Sequence, residues 1–222
     1  MPLTPVVLLA ALAVFASGAS VYSHDTPGPA NNLGREKLGG IKGRIAYESL
    51  LQGDGLEGWQ AHASPNFPEG AWTRDGDTII GQVGHDKYGR ITVGDANWRS
   101  YDFSVKATLI EGSNIQIAFR VQEDDQSFYL LDFLTGWRAL SVTKKEAGVP
   151  GVTKLDVINF PIEKGREYDI EIAVLDESII TYVDGEMINR LTYGRFQKGK
   201  VGFLMWHATH VRFRDPKIRV YN

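Results

Sequence analysis

Polar side chains that could bind or activate a ligand follow one predicted strand near the middle of the chain. Apolar and polar residues alternate along this segment, which reads Asn114, Ile115, Gln116, Ile117, Ala118, Phe119, Arg120 and Val121. A period of two indicates a strand with one apolar face and one polar face. Amide and guanidinium groups on the polar face can hydrogen-bond a polyhydroxylated ligand. The segment therefore predicts either such a binding face or an exposed edge hairpin.

The return strand of this hairpin adds a phenol and a carboxylate. Residues 123–126 form a polar turn, and residues 128–133 run back as a strand rich in aromatic residues and leucine. Tyr129 is a candidate for stacking on the ligand. Asp132 precedes a turn at residues 135–137. Asp132 could act as a base, accept a hydrogen bond from a sugar hydroxyl, or bind backbone amides in the turn.

A histidine beside a tryptophan, near the end of a later predicted strand, is the second candidate for acid–base chemistry. His207 follows Trp206, and an imidazole titrates near neutral pH, so His207 could take a proton from a substrate or have a structural role. Aromatic faces stack on the apolar side of pyranose rings, and core packing is the alternative for each tryptophan. The predicted substrate-binding residues are Asn114, Gln116, Tyr129, Trp137 and Trp206.

Three acids with a spacing of two offer a different chemistry. Glu167, Asp169 and Glu171 match the E-x-D-x-E pattern of laminarinase-type retaining glycosidases. Alternate strand residues share one face, about 6.5–7 Å apart, so these carboxylates could flank a glycosidic bond. No tryptophan precedes them to stack a sugar, and alternating acids are ordinary on a solvated strand. We interpret the pattern as a solvated face.

Oxygen ligands for a metal ion occur in two predicted turns. One turn contains Glu123, Asp124 and Asp125, and the other contains Asp75 and Asp77. Neither has the spacing of a defined calcium loop, so both are interpreted as solvated turns. We predict no metal site and no cofactor, with structural calcium as the alternative considered.

Charge and composition narrow the function classes. The chain has 222 residues, a net charge of −3 and 43% hydrophobic residues, which suits one medium-sized domain behind a leader. No basic cluster is present, so neither nucleic acid nor an anionic membrane surface is predicted as a partner. A glycan or a modified disaccharide is the predicted partner.

The first part of the chain predicts export. Residues 1–23 have the pattern of a secretory signal peptide, with an apolar run at Val6–Phe15 followed by small residues. No Lys or Arg precedes the run, so an uncleaved anchor is the alternative; after cleavage no membrane span is expected. The absence of cysteine favours a bacterial periplasmic or secreted protein that folds on its own core. Residues 24–44, rich in Gly, Pro and Asn, are predicted to be a flexible linker before a domain at 45–222.

From Ile45 onward, strand patterns are punctuated by turn residues, and no amphipathic helix of ten residues is found. The predicted strands are Trp72–Arg74, Thr78–Val83, Arg90–Val93, Tyr101–Ile110, Ile115–Gln122, Phe128–Phe133, Ala139–Lys144, Leu155–Phe160, Tyr168–Leu175, Ile179–Val183, Val201–Trp206 and Val211–Val220. About a dozen short strands without helices predict an all-β sandwich of two antiparallel sheets.

Five short motifs, taken in order, resemble the 3-keto-disaccharide hydrolase family, whose members have a concanavalin A-like jelly roll. The matching elements are the run Leu50–Trp59, Trp72 with Asp75-Gly76, the strand 114–120, the hairpin 180–186, and His207 with Val211, Phe213 and Arg214. The resemblance covers residues 50–220. It implies a jelly-roll fold and a carbohydrate-active function.

A 3-keto sugar needs less catalytic machinery than an ordinary glycoside. The ketone acidifies the proton at C2, so one general base can abstract it while the glycosidic oxygen leaves C1, and water adds afterwards. The resemblance and the strand faces assign His207 or Asp132 as the base and Arg120 as the group that stabilises the enolate.

Two alternative functions remain open at the level of sequence. Where the family carries a Glu and a Gln on the ligand side, this chain has Ser127 and Tyr129. The missing carboxylate favours a non-catalytic, lectin-like carbohydrate-binding module. A laminin G-like adhesive module, with a protein ligand and calcium dependence, is the third interpretation.

Overall fold

The computed structural model describes residues 45–62 and 71–221 of the chain. Strands and turns make up this part. The predicted signal peptide and linker, residues 1–44, lie outside the described residues and stay predictions. No helix long and apolar enough to cross a membrane is found in the described part.

The strands alternate with short turns throughout. Their bounds are β1 Glu48–Ser49, β2 Gln60–Ala61, β3 Trp72–Asp75, β4 Thr78–Gln82, β5 Tyr88–Val93, β6 Ser100–Glu111, β7 Asn114–Val121, β8 Phe128–Leu134, β9 Ala139–Lys145, β10 Thr153–Asn159, β11 Glu167–Leu175, β12 Ser178–Val183, β13 Glu186–Thr192, β14 Lys200–Trp206 and β15 His210–Tyr221. All twelve strands expected from the sequence are present, with bounds shifted by one or two residues. The two-residue strands β1 and β2 and the exposed strand β13 carry too little alternation to be recognised.

The strands form two antiparallel sheets. The seven-stranded sheet has the order β10-β9-β8-β7-β14-β5-β2, and the eight-stranded sheet has the order β13-β12-β11-β6-β15-β4-β3, with β1 beside β15. Strands far apart in the chain, such as β7 and β14, are therefore neighbours. The prediction of an all-β sandwich of two antiparallel sheets is confirmed.

Apolar residues from both sheets fill the space between them. Phe203 of β14 stacks on Phe213 of β15 with ring centroids 3.8 Å apart, and Trp59 stacks on the other side of Phe203 at 5.2 Å. Aromatic contacts of this kind add stability beyond the burial of apolar area. The inward-facing residues of β7 and β8 belong to the same core, which leaves their alternate residues on the outer face of the seven-stranded sheet.

Candidate functional site

A row of side chains crosses the outer face of the seven-stranded sheet, on the side turned away from the other sheet. In register across five adjacent strands, the row consists of Arg90, Leu204, Gln116, Asp132 and Ser141. We call this the Gln116 row. Strands lie about 4.8 Å apart, so side chains of neighbouring strands in the row can contact one another.

Several members of this face are buried although they point away from the core. Gln116 is 7% exposed, Asn114 is 2% exposed and Ser141 is 1% exposed. A flat, uncovered sheet would leave such residues open to solvent. Neighbouring side chains therefore enclose them, and the outer face carries a groove. The prediction that Asn114 and Gln116 share a polar face is correct, but that face is sheltered.

Asp132 is the acid–base group of the Gln116 row. The Nε2 group of Gln116 donates a hydrogen bond to its Oδ2 at 3.1 Å. Burial raises the pKa of Asp132 to about 6, with the amides of Gln116 and Asn114 acting weakly in the opposite direction. Desolvation penalises the ionised carboxyl, so Asp132 gains and loses its proton close to neutral pH. Its position suits proton transfer, whereas the β8–β9 turn is closed by the backbone amide of Arg138, which donates to the Thr135 carbonyl at 3.2 Å.

An aromatic pair lies beside this row. The rings of Trp206 and Tyr88, paired across β14 and β5, stack with centroids 6.4 Å apart and planes 13° from parallel. Trp206 is 53% exposed, so its ring is available to a ligand. Exposed aromatic faces next to polar groups are typical of sugar-binding surfaces.

A cavity of about 270 Å³ joins the aromatic pair to the Gln116 row. Its lining residues are Tyr88, Gly89, Arg90, Gln116, Phe128, Leu130, Lys145, Gly151, Val152, Leu204, Met205 and Trp206. Among the described residues, Arg90 and Lys145 bring cationic groups to this lining, and no carboxylate lines it. Asp132 lies just behind the lining, through its hydrogen bond with Gln116. The cavity can therefore hold a neutral or anionic ligand, and Gln116 connects its lining to Asp132.

His207 lies at the end of β14, next to Trp206, and does not line the cavity. Its Nδ1 accepts a hydrogen bond from the backbone amide of Asp86 at 3.1 Å, and the ring of His85 meets it edge-on at 4.8 Å. An accepting Nδ1 places the proton of the neutral imidazole on Nε2. The left-handed backbone of His207 and Ala208 turns the chain here toward β15. His207 is thus a partly exposed, oriented donor beside the aromatic pair.

Arg120 does not share the face of Gln116, because a bulge interrupts the alternation of β7. Arg120 has a φ of 49°, and the pairing of β14 with β7 shifts between Lys200 and Gly202. The bulge turns Arg120 into the interior and places Val121 outside. Its guanidinium donates to the carbonyl of Phe196 at 2.8 Å and to those of Arg99 and Asp176.

Tyr129 also lies in the interior. It pairs with Phe119 across β7 and β8, so both residues point toward the core. Its hydroxyl accepts a hydrogen bond from the Phe196 amide at 2.9 Å and donates one to the Tyr193 carbonyl at 3.3 Å. The structure therefore separates Arg120 and Tyr129 from Gln116 and Asp132, contrary to the expectation of a shared surface. Both residues connect strands to the 193–199 segment.

Trp137 occupies the turn between β8 and β9, away from the cavity lining. It is 65% exposed, and the Nζ of Lys154 lies 4.4 Å from its ring centroid. This is a surface cation–π contact.

The three alternating acids lie on the opposite sheet. Glu167 pairs with Arg214 at 2.5 Å, and Asp169 pairs with Lys106 at 3.2 Å. Glu171 accepts a hydrogen bond from the hydroxyl of Tyr47 at 2.9 Å. These contacts are those of a charged outer face, as the sequence interpretation expects, and they engage all three carboxylates away from the cavity.

The acidic turns have local partners. Asp124 accepts hydrogen bonds from the amides of Gln126 and Ser127, which closes the turn. Asp125 pairs with Lys200 at 2.5 Å and lies 3.8 Å from the Nε2 of His62. In residues 45–62 and 71–221, no group of three His, Cys, Asp or Glu side chains is arranged to hold a metal ion.

The contribution of β5 to the cavity was not predicted from the sequence. Tyr88 and Arg90 alternate with Gly89 and Ile91, so the signal for an outward polar face was present. The sequence did not indicate the neighbouring strand, because β5 pairs with β14, which lies more than a hundred residues away in the chain. Lys145 and Val152, at the two ends of the β9–β10 loop, were missed for the same reason.

The fold and the site define an all-β sandwich with a sheltered, sugar-sized cavity on one outer face. Comparison with protein families then assigns the chain to one family. A model described as a 3-keto-alpha-glucoside-1,2-lyase-like domain matches residues 46–219. The chain belongs to this family, as its motifs indicated, and is a carbohydrate-active or carbohydrate-binding domain.

Individual relatives are consistent with this class. An extracellular exo-alpha-L-arabinofuranosidase from Streptomyces chartreusis is 33% identical over 97 residues, which is 43% of this chain and 12% of that enzyme. The carbohydrate-binding module CBM66 from Bacillus subtilis superimposes with a TM-score of 0.62 at 15% identity, over 73% of this chain and 95% of the module. The catalytic domain of an endo-1,3-beta-glucanase (laminarinase) from Thermotoga petrophila RKU-1 gives 0.53 at 12% identity, over 80% and 98%. The two structures share the fold with this chain.

Proposed function

We propose that the protein cleaves a 3-keto-α-glucoside by proton abstraction and elimination at the cavity, with Asp132 as the general base. The observation that carries the proposal is the position of Asp132, a part-buried carboxylate bonded by Gln116 with its pKa raised to about 6. A general base is most effective when its pKa lies near the working pH. The family match supports the same chemistry.

The reaction is an elimination across C1 and C2 of the sugar. The carboxylate of Asp132 takes the acidic proton from C2, and the electron pair is held as the enolate of the C3 ketone. As the ketone re-forms, a double bond forms between C1 and C2 and the bond from C1 to the glycosidic oxygen breaks. The leaving oxygen takes up a proton, and water can then add to C1. Each step conserves atoms and needs neither oxidant nor reductant.

Other residues of the cavity would serve this reaction. Gln116 is a positioning residue, since its Nε2 holds Oδ2 of Asp132. Arg90 lines the cavity, near the carboxylates of Asp125 and Asp124 and three strands from Asp132 along the row. Its guanidinium is the candidate to stabilise the enolate oxygen. It takes the role that the sequence assigned to Arg120, whose guanidinium is bonded to three carbonyls in the interior.

His207 is the second candidate for the base. It lies beside Trp206, and its Nδ1 is engaged with the amide of Asp86, so the neutral ring carries its proton on Nε2. In this geometry His207 is better suited to donate a hydrogen bond to a leaving oxygen than to accept a proton from C2. Variants of Asp132 and of His207 would distinguish the general base from the hydrogen-bond donor.

Glycan binding without turnover is the second candidate function. The stacked pair of Trp206 and Tyr88 favours it, because such a surface holds a sugar whether or not chemistry follows. In either case we propose that the protein is secreted or periplasmic, which the predicted signal peptide and the extracellular relative support.

The decisive experiment is turnover of a chromogenic 3-keto-α-glucoside beside the matching unoxidised glucoside. We expect release from the keto substrate alone. Asp132→Asn should lower kcat/KM by about 10²–10⁴-fold, the usual contribution of a general base, and His207→Ala should lower it by about tenfold or less. Loss in His207→Ala with activity retained in Asp132→Asn would reassign the base. Binding of glycans without release from either glucoside would establish the binding module.

A further inference from the structure

A small apolar cluster lies on the outer face of the seven-stranded sheet, separate from the main core. It comprises Ala118, Val121, Phe128 and Leu130, with Leu204 packed against it. These residues come from three adjacent strands, β7, β8 and β14. Ala118, Val121, Phe128 and Leu130 are at most 4% exposed, so neighbouring side chains cover most of the cluster. Its accessible part is the apolar wall of the cavity, which Phe128, Leu130 and Leu204 line.

The cluster adjoins the candidate catalytic row. Ala118 pairs with Leu130 on β8 and with Gly202 on β14, two residues along the strands from Gln116 and its partner Asp132. Two residues of strand span about 6.5–7 Å, close to the distance between neighbouring rings in a glycoside. A sugar ring over the Gln116 row therefore places its aglycone over the apolar cluster.

The chemistry of this second position is unsuited to another sugar. Phe128, Leu130 and Leu204 line the cavity beside the cluster and offer no hydrogen bonds. Hydroxyls buried against them would each lose about 1–3 kcal/mol of hydrogen bonding to water. A flat apolar ring would instead displace water from the aliphatic and aromatic side chains.

Lys145 adds a charge that fits a phenolic leaving group. Lys145 pairs with Phe128 across β8 and β9 and lines the cavity, while no carboxylate of the described residues lines it. The ammonium of Lys145 donates to the carbonyl of Val149, which holds it at the β9–β10 loop. Elimination leaves negative charge on the glycosidic oxygen, and an ammonium at this place would stabilise it.

We propose that this apolar cluster is the aglycone subsite and that the preferred substrates are 3-keto-α-glucosides of aromatic alcohols. The assignment rests on the proposed function for the orientation of the sugar. It adds that the specificity for the aglycone resides in Leu130 and Phe128, and not in the residues of the Gln116 row that hold the sugar.

Calorimetric binding to the Asp132→Asn protein tests the assignment. The ligands are phenyl and methyl 3-keto-α-glucoside, which differ only in the aglycone. We expect the phenyl compound to bind at least about tenfold more tightly. Leu130→Thr and, separately, Phe128→Thr should reduce this ratio toward one while changing the Kd of the methyl compound by less than about twofold. Ile80→Thr, on the outer face of the eight-stranded sheet, is the matched control and should leave the ratio unchanged.

Several results would overturn the assignment. Equal binding of the two glucosides, a ratio that survives both the Leu130 and the Phe128 change, or no binding of either compound would each do so. Sedimentation velocity gives a further test, since a dimer that Leu130→Thr dissociates would assign the cluster to a second copy of the chain. A phenyl preference in binding with no turnover by the wild-type protein would instead support the subsite and reject the lyase activity. Turnover of the keto substrate without a phenyl preference would support the lyase activity and reject the subsite.

Discussion

The proposed chemistry centres on one carboxylate that lies outside the main core and is still sheltered from water. Asp132 belongs to an outer sheet face, where an ordinary aspartate would be ionised and solvated. Burial shifts its pKa upward to about 6, and Gln116 holds one of its oxygens. Both effects can be measured separately, through activity and through stability.

The pH dependence of activity follows from the raised pKa. The base must be ionised to accept the C2 proton, so kcat/KM for a 3-keto-α-glucoside should rise about tenfold per pH unit below 6 and level off above it. Gln116→Leu removes the hydrogen bond that favours the carboxylate, and the midpoint should move to higher pH. A flat wild-type profile between pH 4.5 and 8 would contradict the assignment.

Stability should show the opposite trend. The folded pKa of Asp132 lies above its usual value near 3.8, so the unfolded chain loses this proton first and the carboxyl stabilises the fold only at low pH. Its contribution is complete below about pH 4 and is lost as pH rises through 6. Asp132→Asn should therefore raise the free energy of unfolding above pH 7 by up to about 3 kcal/mol, with little difference at pH 4. Urea denaturation at the two pH values measures this, and equal effects at both would contradict it.

The two exposed tryptophans provide a test of ligand binding and its control. Trp206 lines the cavity, and Trp137 occupies a turn outside it. Trp206→Ala should raise KM or Kd about fivefold or more, because a stacking face is lost, whereas Trp137→Ala should change it by less than about twofold. The reverse result would move the sugar to the β8–β9 turn.

At the scale of the strand, the bulge at Arg120 decides which side chains reach the site. The bulge exchanges Arg120 for Val121 on the outer face and fixes the arginine among backbone carbonyls. Gly199 makes room for it: a side chain at this position, with φ of +148°, would come within 2.4 Å of the Arg120 backbone. A strained conformation of this kind requires glycine. Bulges near active sites commonly redirect a side chain in this way.

Arg120→Met tests whether this arginine is structural. Three carbonyls would lose their donor in a buried site, so the free energy of unfolding should fall by about 3 kcal/mol or more. The kcat/KM of the folded fraction should remain within about threefold of wild type, measured below the melting temperature with active-site titration. Gly199→Ala should destabilise the protein in the same manner. A stable Arg120→Met protein with a hundredfold loss of kcat/KM would restore Arg120 as a catalytic group.

At the scale of the whole molecule, the sandwich separates two charged surfaces. The seven-stranded sheet carries the cavity, with Arg90 and Lys145. The eight-stranded sheet carries Glu167, Asp169 and Glu171 in pairs with basic or phenolic partners. The core between them is packed with stacked aromatic rings, so the two outer faces share no side chains.

Because the faces are separate, neutralising the acids should not affect catalysis. The triple variant Glu167→Gln, Asp169→Asn and Glu171→Gln should retain kcat/KM on the keto substrate within about twofold, since distant sites act independently. Its thermal stability should fall only slightly, because exposed ion pairs contribute little. A loss of activity comparable to that of Asp132→Asn would favour the retaining glycosidase chemistry that the acid spacing resembles.

The sequence by itself determined the strands and the face on which Gln116 lies, because alternation with period two records which residues meet the core. It also placed Asp132 and Trp206 among the candidates, since their types suit the chemistry. Only the tertiary structure decided that Tyr129 shares the inner face of Phe119, because the register of a hairpin depends on how its turn closes. The bulge that turns Arg120 inward depends on Gly199 and on carbonyls from three distant segments. Arg90 and Asp132 lie in one row because β14 and β7 stand between β5 and β8 in the sheet. Local sequence does not encode this strand order.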